Sequence, residues 1–83
     1  MIQLNTSGQF AVVPRFEVEN LDITVLDEFL KEEITLTVDS FEEESGYLIV
    51  NYQFTPVKDR QYTVEIKDNT ITAWKGKAIG VPQ

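Results

Sequence analysis

Gln61-Tyr62-Thr63-Val64-Glu65-Ile66-Lys67 alternates without a break, with Tyr62, Val64 and Ile66 on one side and Thr63, Glu65 and Lys67 on the other. Successive side chains of an extended strand point to opposite faces, so a period of two marks a half-buried strand. Asp68-Asn69 follows as a turn signal, and Thr70 to Trp74 is expected to return antiparallel. Lys77 to Val81 extends the sheet beyond Gly76. The same grammar recurs in Glu33-Ile34-Thr35-Leu36-Thr37-Val38-Asp39, where Ile34, Leu36 and Val38 share a face. In Tyr47 to Phe54, Leu48, Val50, Tyr52 and Phe54 form one face while Tyr47 and Ile49 begin a second, which predicts a central strand covered on both sides.

The first third of the chain is more varied. Phe10 to Val13 stops at Pro14 and reads as an edge strand, with Phe16 to Val18 a short strand after it. Leu21 to Val25 alternates as a strand, yet Leu21, Val25, Phe29 and Leu30 also fall on one helical stripe. The reading adopted is a strand to Val25 and a turn, or one helical turn, through Asp27 to Lys31. Glu42 to Gly46 and Thr55 to Arg60 read as polar connections. The expectation is one all-β domain over residues 1–83, a small antiparallel β-sandwich or barrel, immunoglobulin-like in layout, with about seven short strands. Its predicted core is Ile34, Leu36, Val38, Leu48, Val50, Tyr52, Val64 and Ile66.

The 83 residues include neither cysteine nor histidine. Disulfides, thiolate or imidazole metal sites, cysteine nucleophiles and histidine-based acid–base schemes are thereby removed. Asp39-Ser40 is followed by Phe41, so the aspartic-protease pattern is absent, and there is no glycine-rich phosphate loop. Asn5-Thr6-Ser7 matches the glycosylation sequon, which carries no meaning without a secretion signal. Asp39, Glu42, Glu43 and Glu44 have the oxygens for Ca²⁺ but not the spacing of an EF-hand loop, and acids in a loop are usually solvated. No catalytic residue, cofactor or metal is expected. A domain this small buries roughly 60–65% of the surface its unfolded chain exposes, so a partner is the natural source of further stability.

The net charge of −7 disfavours nucleic acid and anionic membranes as ligands. Residues 1–55 balance to −9 and residues 56–83 to +2. This asymmetry suits head-to-tail pairing or a basic partner, and equally a solubilising surface. The first residues lack the basic start and long apolar stretch of a signal peptide, and no apolar run is long enough to cross a bilayer.

Trp74 alternates with Ile71 and Ala73 and is expected on the outward face with Thr70 and Thr72, as an interface anchor; the alternative is that it belongs to the core. Residues 1–9 and 79–83 hold few large aliphatic side chains. Both ends are therefore expected to fray in a monomer and to lie on a neighbouring chain in an assembly, with Ile2, Leu4, Ile79 and Val81 as contacts.

The segment Tyr62-Thr63-Val64-Glu65-Ile66, Asp68-Asn69 and Trp74-Lys75-Gly76-Lys77-Ala78, closing on Val81-Pro82-Gln83, resembles the C-terminal hairpin of small tailed-bacteriophage virion proteins, fiber upper proteins among them. Met1-Ile2-Gln3-Leu4-Asn5-Thr6-Ser7 is similar to their N-terminus. The likeness covers about a third of the chain. It implies a non-enzymatic structural component, a head decoration or a tail or fiber adaptor, made in the host cytoplasm and bound in the virion to other virion proteins or to copies of itself. The alternative from charge is a small acidic inhibitor, an anti-defence or DNA-mimic protein whose carboxylates imitate phosphates and block a basic nucleic-acid-binding site.

Overall fold

The computed structural model describes residues 2–81, apart from the side chain of Thr35; Met1, Pro82 and Gln83 lie outside the described residues. The chain forms eight strands: β1 (Ile2–Leu4), β2 (Ser7–Val12), β3 (Leu21–Asp27), β4 (Glu32–Thr35), β5 (Thr37–Glu44), β6 (Tyr47–Gln53), β7 (Gln61–Asp68) and β8 (Ile71–Gly80). A five-stranded sheet in the order β1-β8-β7-β3-β4 lies against a three-stranded sheet in the order β2-β6-β5. All neighbours are antiparallel except β1 and β8, which run parallel.

This is the strand order of an immunoglobulin-type sandwich, in which B, E and D form one sheet and G, F, C and C′ the other. Strands β2, β6 and β5 take the first three places, and β8, β7, β3 and β4 the other four. A second mark of that layout sits at the start of β7. The hydroxyl of Tyr62 accepts a hydrogen bond from Val57 N at 3.0 Å, pinning the connection between sheets as a tyrosine corner does.

The core follows from alternation. Phe10, Val12, Leu48, Val50 and Tyr52 of the small sheet meet Ile23, Val25, Tyr62, Val64 and Ile66 of the large one. Phe10 packs on Tyr52 and Phe54 packs edge-on against Tyr62, with ring centroids 5.5 and 5.4 Å apart. Six of the eight expected core residues are buried, whereas Ile34 and Val38 are only partly so. The expected single strand over residues 33–39 is in fact two strands in different sheets, hinged at buried Leu36. Ile34 and Val38 therefore lie on edge strands, where one flank has no neighbouring strand to cover it.

Other elements also differ from the sequence reading. Residues Phe16 to Val18 form no strand, although Val18 is buried. Strand β5 runs through Glu44, so the expected acidic loop contracts to a hairpin turn at Ser45-Gly46, both with positive φ (53° and 84°) as a primed turn requires. Strand β6 is central, but its outer face is open, with Tyr47 exposed and Ile49 half-buried. Among the described residues no helix is long and apolar enough to cross a membrane.

Candidate protein-binding surface

At one end of the sandwich the turn between β3 and β4 meets the connection between β6 and β7. Asp27, the last residue of β3, is the only buried charged residue among those described. Its side chain organises the turn. Oδ1 accepts hydrogen bonds from Phe29 N at 2.9 Å and Leu30 N at 3.1 Å, an Asx-type turn, while its backbone carbonyl accepts from Lys31 N at 2.8 Å. Lys31 takes a positive φ of 58° to close it. The other oxygen, Oδ2, pairs with Arg60 Nη1 at 3.0 Å.

Burial is the largest influence on the Asp27 carboxyl and pushes its pKa up, but the N–H groups of Leu30 and Phe29 together with Arg60 outweigh it and hold the pKa below the ordinary value. Glu28 is also held low, chiefly by the Lys77 ammonium, against burial and with help from the Thr63 hydroxyl. Thr63 Oγ1 donates to Glu28 Oε1 at 3.2 Å, and Lys77 binds the same carboxylate oxygen. Two ion pairs thus fix both carboxylates of the turn to the β6–β7 connection and to the β7–β8 pair.

The product of this scaffolding is an exposed apolar knob. Phe29 is 74% exposed and Leu30 49%, with Val57 of the facing connection at 45%. The Arg60 guanidinium carbon lies 4.8 Å from the centroid of the Phe29 ring, a cation–π contact that holds the ring outward. Burying one such side chain is worth about 1.5–3 kcal/mol, which the isolated chain forgoes here. Beside Phe29 and Val57 the surface carries Lys58 and Arg60 together with Glu28 and Asp59, so the border of the knob is charged with both signs.

This site was not among the residues singled out from the sequence, where Phe29 and Leu30 continued an apolar helical stripe. The signal that finds it is the polar Asp27 at an inward strand position, beside two large apolar residues in a turn.

The expected interface residues are distributed otherwise. Trp74 does not face outward. Ile66 pairs with Trp74 and Lys67 with Thr72, so Ala73 is an extra, bulged residue that shifts the alternation by one. The indole turns inward across Gly76, at the half-buried margin of the core. There Trp74 and Ile2 line one groove with Val13 and Tyr47, so these two expected residues do come together.

Leu4 is fully buried and belongs to the core, so it is corrected from a contact arm to a core residue. Ile2 to Leu4 pair with Ala78 to Gly80, and Val81 N donates to Leu4 O at 2.9 Å. The described parts of both ends are therefore folded onto their own domain, because each gives the other a strand partner. Ile79 and Val81 remain half-buried and apart from the groove.

The acids of β5 do not converge. Glu42 and Glu44 face outward, and Glu43 turns toward the β2–β3 connection, where its Oε1 accepts from Val18 N at 2.7 Å. Asp39 is bulged and bonds the Gln53 amide at 3.2 Å. Among the described residues no group of three or more acidic side chains is arranged to hold a metal ion. Comparison with known protein families, characterised proteins and solved structures finds no match to this chain.

Proposed function

We propose that this protein is a non-catalytic binding subunit of a tailed-phage virion, a head decoration or a tail or fiber adaptor, that docks on another virion protein through the Phe29–Leu30 knob. The observation that carries the docking mode is a Phe held 74% exposed by a buried carboxylate and an arginine, a cost in stability that contact with a partner would offset. The virion assignment rests on the resemblance at the N-terminus and the C-terminal hairpin. An exposed apolar pair bordered by charges of both signs suits a partner with an apolar socket and a polar rim.

The test is mass spectrometry of purified particles carrying either the wild-type chain or a Phe29→Ser/Leu30→Ser variant. The expected result is wild-type chain in the particle, lost in the variant at unchanged melting temperature. Absence of the wild-type chain from particles would overturn the assignment. The alternative of an acidic inhibitor draws on Glu32 and Glu33 of β4 and on Asp39, Glu42 and Glu44 of β5, all exposed. It is distinguished by binding to a basic protein that collapses at moderate salt, where apolar docking persists.

A further inference from the structure

Two sheets have four edges, and an edge strand offers unpaired N–H and C=O groups to any passing strand. Three of the edges here are guarded. Strand β5 carries Asp39, Glu42, Glu43 and Glu44, β4 carries Glu32 and Glu33, and β1 is three residues long. Strand β2, Ser7-Gly8-Gln9-Phe10-Ala11-Val12, has six residues with no charge and no proline.

Its free groups can be identified. Thr6 O accepts from Phe54 N at 3.0 Å, and the register continues with Gly8 opposite Tyr52, Phe10 opposite Val50 and Val12 opposite Leu48. Hydrogen-bonded pairs alternate along an antiparallel ladder, so these residues bond to β6 while the amides of Ser7, Gln9 and Ala11 point away from it. All three residues are exposed, and no backbone partner for them occurs among the described residues. The position is also vacant in the topology. In the constant-type immunoglobulin sheet strand A lies outside strand B, whereas here β1 pairs with β8 on the other sheet.

We infer that β2 is the seam of a homodimer, in which β2 of a second copy pairs antiparallel across a two-fold axis and joins two three-stranded sheets into one of six strands. An isologous seam sets one strand against a copy of itself, so β4 and β5, whose charges are all acidic, would repel their own copies, whereas β2 carries no charge. The charge layout fits the same arrangement. With a net charge of −7 per copy, the acidic β5 strands fall at the two far ends of the joined sheet, about 24 Å apart at ~4.8 Å per strand. That is some three Debye lengths at physiological salt, so their repulsion is largely screened.

Sedimentation equilibrium over a wide concentration range tests this on the full chain. The expected wild-type result is a concentration-dependent shift to twice the 9.5 kDa chain mass. Ala11→Lys, which places a cation on the exposed edge, and Gln9→Pro, which removes an outward N–H without touching the ladder to β6, are each expected to give monomer with the far-ultraviolet circular dichroism spectrum unchanged. Phe29→Ser is expected to dimerise normally, which separates this seam from the knob. A wild-type chain that stays monomeric at millimolar concentration, or a dimer that survives both β2 substitutions, would overturn the inference.

Discussion

Arg60 Nη1 lies 3.0 Å from Asp27 Oδ2, and this pair locks the connection between the two sheets to the turn that displays Phe29. The two partners are unequal, since Asp27 is buried and the Arg60 side chain is 22% exposed. Removing the arginine leaves a buried carboxylate with one oxygen unpaired, whereas removing the charge of the aspartate does not. Arg60→Ala is therefore expected to lower the melting temperature more than Asp27→Asn, as read by thermal circular dichroism.

Acid should act through the same turn. Asp27 and Glu28 both sit below their ordinary values of 3.8 and 4.5 in the folded chain. Depressed carboxyl pKa values add stability that is complete above the unfolded values and is lost as pH falls through the folded ones. The melting temperature is expected to be flat near neutrality and to fall below about pH 4, with a shallower fall in Asp27→Asn.

Tyr62→Phe removes only the hydroxyl that accepts from Val57 N. The expected loss is about 1 kcal/mol, the usual net worth of one such hydrogen bond. Urea titration would show a lower midpoint with an unchanged slope, because the amount of surface exposed on unfolding stays the same.

Gly76→Ala probes the bulge. A Cβ at Gly76 would collide with the six-membered ring of Trp74, so the indole must leave its place. Trp74 is the only tryptophan, and its emission is expected to move to longer wavelength in this variant while the native chain emits from a half-buried site.

Leu4→Ala measures the contribution of the first strand. Leu4 is completely enclosed, and truncation of a buried Leu costs about 2–5 kcal/mol. An unchanged stability would mean that β1 is loosely held.

The two-residue period made β3, β6, β7 and β8 and most of the core legible, because each strand buries one face and the pattern needs no tertiary information. Of the two readings of Trp74, the outward one fails because a bulge of one residue at Ala73 inverts every face beyond it, and no local preference announces the extra residue. Leu36 is a similar case: its run alternates evenly while the chain changes sheets beneath it. Leu4 was misjudged because a three-residue strand is stable only through β8, some 75 positions away along the chain. The knob was hidden for a different reason. Phe29 and Leu30 look like core residues by type, and only the fixed turn at Asp27 exposes them.

The parallel pairing of β1 with β8 also sets how the domain answers mechanical force. The chain enters β1 at Ile2, opposite Ala78, and leaves β8 past Gly80, opposite Leu4. Tension applied through the two ends therefore drags the strands past one another along their length. All the rungs between them are loaded together, in shear, and the Leu4 side chain must be torn from its socket at the same moment. Antiparallel terminal strands would instead unzip one rung at a time, so this small domain is built to hold under pull.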